Sequence, residues 1–440
     1  MHKIAFYIDN NRIADVDCSQ IADGNPGIGG TEYLFYFTVF NLQSYNTSDI
    51  SVTLLTSSKA KLPEMNYEVV GSKQEAIEYC KQKGYEILVI KFEQQDYQSD
   101  ELLSKTNVSP LKIVVWAHNV IPNHILNRME RLGGILAIVN VGREQLDLYR
   151  DHNMFYKSTF IYNSLPIKSQ EYYKAHSIPF QDRGHEVTYL GSLIPVKGFH
   201  VLAKIWKDVL KEVPDAHLNV IGSGKVYDSN AKLGSYGIAE ESYENEFMPY
   251  LTDDTGHILP SVTFWGRLGN EKEKILARTK VGVPNPAGTS ETFCLSAVEM
   301  SLYGARIVSK RYVGLIDTVS KEVGQLFDKE TNFIEMVTRE LLDKSDRNDE
   351  AWDFIHSNFS SETISGEWIA LFKKLLIDAP FHTANNKMVN SKYNFKYLRE
   401  VNRKLKAFLP FGKKLPTMDY YISVVCQLLK LKFSTPIIKY

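Results

Sequence analysis

Short continuous runs of Val, Ile and Leu, alternating with amphipathic stretches, constrain this chain more than any other feature. Strand-like runs fall at residues 3–8, 51–55, 87–90, 112–116, 136–140 and 158–161. Helix-periodic patterns lie between them at 31–42, 73–83 and 143–150. A strand that is apolar on both faces must be covered on both faces, so the pattern predicts a parallel sheet between layers of helices. A polar stretch, 168–185, breaks the rhythm and reads as a linker. The rhythm then resumes. Strands are expected at 187–190, 217–221, 262–265, 281–283, 306–308 and 325–327, and helices at 199–213, 271–278, 295–302 and 332–342. The expectation is an α/β chain of two doubly wound units in series. Ligands in such folds bind outside the carboxyl ends of the strands, and the cleft between two units is the natural place for a site. The segment from Lys225 to Pro260 is polar and reads as a loop insertion.

A length of 440 residues fits two cores and an appendage. Cys18, Cys80, Cys294 and Cys426 are scattered, which fits a reducing compartment and neither a disulfide framework nor a metal site. The start of the chain reads as no signal peptide, and no apolar run is long enough to span a bilayer. A cytoplasmic location is expected, with no metal, no cofactor and no nucleic-acid partner.

The net charge of −1 hides an asymmetry. Residues 381–440 hold 12 basic and 2 acidic residues, a net of +10, and residues 1–380 carry −11. Phe395, Leu398, Val401, Leu405 and Phe408 recur at helical steps, with Lys396, Arg399, Arg403, Lys404 and Lys406 largely elsewhere on the helix. Leu415, Met418, Ile422, Val425 and Leu429 repeat the pattern. Basic amphipathic helices over 395–433 suit an anionic membrane surface, here the inner face of the plasma membrane. They equally suit packing against the acidic body of the chain.

The chemistry-bearing residues cluster at expected strand ends. Glu291-Thr-Phe-Cys-Leu-Ser-Ala-Val-Glu299 puts two carboxylates eight residues apart, after the loop Pro284-Asn-Pro-Ala-Gly-Thr-Ser290. A helix starting near Phe293 would place Glu291 at its positive end and Glu299 about two turns in, with N–H groups able to take a phosphate. Gly29-Gly30 opens another helix and lets backbone approach a phosphate or sugar, though a plain flexible connection fits as well. The lack of a Lys after these glycines excludes a Walker sequence. Lys197, in Gly191-Ser-Leu-Ile-Pro-Val-Lys-Gly198, is a cation at a helix start, where the dipole disfavours it unless an anion compensates. Arg267 ends a strand as a second cation, with a surface role equally open. His118 ends another strand and would by itself be read as structural. No His/Cys cluster has ligand spacing, and no nucleophile elbow is present.

Taken in order, these motifs resemble the GT-B retaining glycosyltransferases of family four, a group that includes bacterial surface-polysaccharide enzymes. The likeness runs over residues 1–376. It is carried by Leu190-Gly-Ser-Leu with Lys197-Gly198, Leu218-Asn-Val-Ile-Gly-Ser-Gly224, Val262-Thr-Phe-Trp-Gly266, Glu291 with Glu299, and Gly314-Leu-Ile-Asp-Thr-Val319. Gly29-Gly30-Thr-Glu32, Ala117-His118-Asn119 and Ile161-Tyr-Asn163 add to it.

The resemblance implies two Rossmann-like domains facing across a cleft. Residues 1–167 would form the acceptor side and 186–358 the nucleotide-sugar side. Residues 359–380 would return as a helix to the first domain, and 381–440 would be a basic extension. It further implies that Glu299 accepts hydrogen bonds from a ribose diol, and that Glu291 and His118 face the donor hexose. Lys197, Gly29, Gly30 and the N–H groups around Phe293, Cys294 and Leu295 would hold the diphosphate. The donor would be UDP- or GDP-linked, and the acceptor a glycan or a lipid-linked oligosaccharide. Ser192 stands where this family often has Arg, so Arg267 must substitute, Lys197 and the helix end must suffice, or donor binding weakens. The alternatives are a glycan phosphorylase or sugar-nucleotide epimerase of related architecture, and a non-catalytic nucleotide- or glycan-binding partner of another transferase.

Overall fold

A computed structural model describes residues 1–45, 49–97, 110–132, 134–224, 232–377, 388–389 and 393–429. Parts of the basic extension, including residues 430–440, lie outside the described residues. The chain divides into two compact units. One comprises Met1–Ser19, Leu34–Asn163 and Ile364–Tyr440, and the other Gln20–Tyr33 and Ser164–Thr363.

The first unit is built on seven parallel strands: β1 (His2–Ile8), β2 (Ile50–Thr56), β3 (Tyr67–Val69), β4 (Ile87–Lys91), β5 (Lys112–Ala117), β6 (Ile135–Asn140) and β7 (Ser158–Phe160). Their order across the sheet is β3-β2-β1-β4-β5-β6-β7. Each expected strand is present. The addition is β3, a three-residue edge strand that is largely exposed and so carries no apolar signature. Phe6, on β1, meets Trp368 of the helix Ser361–Leu376 edge to face at 5.4 Å, and Trp116 of β5 lies 5.2 Å from the same indole. Contacts of this kind, beyond the area they bury, are worth about 0.5–1.5 kcal/mol each. They explain why residues 364–376 belong to the first unit.

The second unit holds β8 (Glu186–Leu190), β9 (His217–Ile221), β10 (Val262–Gly266), β11 (Val281–Gly282), β12 (Arg306–Lys310) and β13 (Gly324–Phe327), again all parallel, in the order β10-β9-β8-β11-β12-β13. The strand order reverses direction between β8 and β11, the switch point at which doubly wound sheets open a crevice. Trp206 and Phe199, from the helix Phe199–Glu212, are completely buried in the core below it. The stretch 168–185 contains a helix, Gln170–His176, capped by Ser169. The presumed loop insertion contains another, Glu241–Leu251, whose internal Pro249 hides it from propensity.

The C-terminal extension packs on the first unit through its basic side chains. On the helix Lys396–Phe408, buried Lys396 meets Glu144 at 2.5 Å and Asp147 at 3.1 Å. Arg399 grips Asp419 with two nitrogens, at 2.6 and 2.9 Å, and reaches Asp151 at 3.3 Å. Lys406 donates to the Asp151 carbonyl. Asp419 sits at the start of the next helix, Met418–Leu429, whose first N–H donates to Asp151. The acidic body attracts the tail, as the charge asymmetry implies. The amphipathic helix, however, is turned with Lys396, Arg399 and Lys406 inward. Among the described residues no helix is long and apolar enough to cross a membrane.

Candidate active site

Two loops at the switch point of the second sheet carry most of the candidate residues: 191–198 after β8, and 283–294 after β11. The first turns back at Gly198, whose φ of +68° only glycine adopts cheaply, and a Cβ there would collide with Ala287 of the second loop. Thr289 ties the loops together by donating to the Val196 carbonyl at 2.8 Å.

The second loop is held in a costly backbone conformation just ahead of the first glutamate. Asn285 and Ser290 both take positive φ, 39° and 60°. Non-glycine residues there cost on the order of 1 kcal/mol or more each, so the surroundings must over-determine them. Asn285 shows how. Its side-chain oxygen accepts the Gly288 N–H at 3.1 Å, and its nitrogen donates to the Thr289 carbonyl at 3.1 Å and to Glu291 Oε2 at 2.9 Å. Lys197 Nζ donates to the same Glu291 oxygen at 2.8 Å. Glu291 is therefore a buried carboxylate fixed by one cation and one amide. Behind it, the Gly314 N–H donates to the Glu291 carbonyl at 3.0 Å, and a Cβ at Gly314 would strike the Thr292–Phe293 backbone.

The helix that follows is Leu295–Leu302, with Cys294 at its N-cap and no side chain capping it. Its bounds are those the periodicity predicts, and with the start at Leu295 rather than near Phe293 Glu299 lies little more than one turn in. Burial, and secondarily the Glu291 charge, raises the Cys294 thiol to about 12, so it stays protonated. Phe293 packs edge-on to Phe359 at 5.2 Å. Glu299 is half-buried, and its Oε1 accepts from Lys272 Nζ at 2.7 Å. Lys272, itself buried, was missed in the sequence. It stands in a charged run, Asn270-Glu-Lys-Glu-Lys274, that reads as a solvated helix start, and nothing along the chain links it to Glu299.

The Gly29-Gly30 turn belongs to this unit as well. Asn25 Oδ1 accepts from the Gly27 and Ile28 N–H groups at 2.9 Å each, and this folds the turn. A Cβ on Gly30 would rest 3.5 Å from Leu295, so the start of the helix Gly30–Ser44 meets the start of the helix Leu295–Leu302. Exposed Arg267 lies along the same turn, its guanidinium 3.4 Å from the Gly27 carbonyl. The hydroxyl of Tyr33, on the first turn of that helix, is pushed well up by burial and then by the Glu299 charge. Ser192 is buried, and the Tyr189 hydroxyl donates to its carbonyl at 3.0 Å and to that of Lys197 at 3.2 Å.

The second unit thus assembles Gly29, Gly30, Ser192, Lys197, Arg267, Glu291, Phe293, Cys294, Leu295 and Glu299, and adds Lys272. His118 belongs to the first unit, at the end of β5. Its ring packs 4.4 Å from Trp116, and burial holds its imidazole down to about 3, so it is neutral at physiological pH. Among the described residues, no group of three or more His, Cys, Asp or Glu is placed to hold a metal ion.

Residues 184–343 match the family model for group 1 glycosyl transferases. No curated protein matches the chain by sequence. Among solved structures, the chain is similar to sucrose-phosphate synthase from Thermosynechococcus elongatus, at 15% identity and a TM-score of 0.61, over 86% of this chain and 100% of that one. It is similar to Alr3699/HepE from Anabaena in complex with UDP and glucose, at 14% identity and a TM-score of 0.57, over 85% and 100%. It is also similar to the catalytic domain of Starch Synthase IV from Arabidopsis thaliana bound to ADP and acarbose, at 12% identity and a TM-score of 0.55, over 86% and 99%. The fold is GT-B, and most of the second unit is similar to a group 1 glycosyltransferase domain.

Proposed function

We propose that this protein is a retaining, metal-independent hexosyltransferase. It moves a sugar from a UDP- or GDP-linked donor to a glycan acceptor, lipid-linked, in the assembly of a surface polysaccharide. One observation carries the reading. Two glutamates flank one helix start at the switch point, each held by its own lysine, beside a glycine turn and a second helix start. The arrangement supports a division of labour. Lys197, Arg267, the Gly29-Gly30 turn and the N–H groups at Leu295 are cations and dipoles suited to a diphosphate leaving group, whose charge grows as the glycosidic bond breaks. Arg267 supplies the positive charge that Ser192 lacks.

Glu299 has one oxygen on Lys272 and offers the other to the adjacent hydroxyls of a ribose. Glu291 is oriented by Lys197 and Asn285 to meet a hexose hydroxyl. Neutral His118 suits a hydrogen bond to the donor sugar rather than proton transfer. With retention, the departing phosphate assists attack of the acceptor hydroxyl on the same face of the sugar and takes its proton.

Substituting the two acids tests the assignment. Glu299→Ala should weaken binding of the nucleoside diphosphate by about tenfold or more, the worth of a charged hydrogen bond. Glu291→Ala should leave that binding nearly intact and depress turnover. Calorimetry with UDP, GDP and ADP, followed by donor-turnover assays, reads both, and parent-like behaviour of both variants would overturn the assignment. Absence of turnover with any nucleotide sugar would favour the non-catalytic binding partner instead.

A further inference from the structure

We propose that the outward face of the two C-terminal helices docks on an anionic lipid surface. Because Lys396, Arg399 and Lys406 of the helix Lys396–Phe408 are turned inward, its apolar stripe faces solvent. Leu398 is 45% exposed and Phe408 85%, with Val401 and Leu405 between them at three- and four-residue steps. Phe411, in the next turn, is 77% exposed. The helix Met418–Leu429 repeats the arrangement, with Tyr421, Val425 and Leu428 outward. Large aromatic and aliphatic side chains gathered on one face mark an interaction surface.

The charges select the occupant. Among residues 393–429 the carboxylates are Glu400 and Asp419, and both turn inward. Glu400 binds Arg403 and Arg150, and Asp419 binds Arg399. The exposed charges beside the apolar stripe are cationic. The Lys404 side chain is 73% exposed, and exposed Lys414 stands 5.9 Å from the Phe411 ring. A symmetric pairing of two copies would press these cations together, whereas anionic headgroups neutralise them while the aromatics enter the acyl boundary. The proposal stands apart from the nucleotide-sugar reading, because lipid binding is measured without turnover.

The test is flotation of the full chain with vesicles of phosphatidylcholine alone and of phosphatidylcholine mixed with phosphatidylglycerol. The parent should float with the mixed vesicles and be released by salt. The triple variant Leu398→Ser, Phe408→Ser, Phe411→Ser should lose roughly tenfold or more in partition, since each aromatic contributes on that scale. It should melt like the parent, because the three side chains are exposed. Lys404→Glu with Lys414→Glu should abolish the preference for the anionic vesicles. A parent that never floats, or a triple variant that floats equally well, would overturn the proposal. So would a parent that sediments as a dimer and becomes a monomer in the triple variant.

Discussion

At the scale of single residues, the two glutamates owe their readiness to lysines far away in sequence. Glu291 and Lys197 are separated by 94 positions, and both sit where one loop leans on another. Lys272 matters more for prediction, because it occupies one of the two oxygens of Glu299. On the proposed reading, the parent should bind a nucleoside diphosphate more tightly than its 2′,3′-dideoxy counterpart. The difference should be about tenfold, the worth of hydrogen bonds to a carboxylate. Lys272→Met should erase most of that difference, and Lys272→Arg should restore part of it. Calorimetry with the ligand pair checks this. If Lys272→Met still discriminates as the parent does, the lysine is no more than a structural neighbour.

At the scale of elements, the C-terminal helices show how a charge pattern chooses a face. Lys396 and Arg399 leave water only because Glu144, Asp147, Asp151 and Asp419 wait for them. A buried pair does not by itself add stability, but removing one member strands the other. Arg399→Ala should therefore destabilise the first unit by about 3–5 kcal/mol. Leu398→Ser, one position away on the opposite face, should change stability by about 0.5 kcal/mol or less. Denaturant melts of the two variants give the comparison, and equal midpoints would contradict the inward placement of the guanidinium.

At the scale of the whole molecule, two buried imidazoles of the first unit set a response to acid. Burial holds His118 down to about 3, and burial with the nearby Lys406 holds His152 down to about 4. His152 is also committed by its hydrogen bonds, since its Nδ1 accepts the Met154 N–H and its Nε2 faces Asn127. An unfolded histidine titrates near about 6.5. Below that pH the unfolded chain binds protons that the folded chain refuses, so stability is lost as pH falls from about 6.5 toward about 4. Thermal melts across that window should show the fall. The double variant His118→Gln, His152→Gln should follow a shallower curve, and identical slopes would mean other groups dominate.

Much of this protein was legible along the chain. Continuous apolar runs specify parallel strands because burial on both faces leaves no polar period. The strand added among the described residues, Tyr67–Val69, is an exposed edge that burial does not mark. The carboxylates and cations at strand ends were legible for the same reason, since the fold dictates where strand ends gather. Other features depended on contacts that sequence distance hides. Lys272 reaches Glu299 only through packing, the Gly29-Gly30 turn joins the second unit through Leu295, and part of the 168–185 stretch, Gln170–His176, forms a helix. The tail states the division most plainly. Its amphipathic period could be read from the sequence alone, but the period does not say which face turns inward. Only the tertiary structure decided that, because the buried carboxylates of the first unit solvate the cations better than a packed apolar stripe could, and the hydrophobic face was left outside.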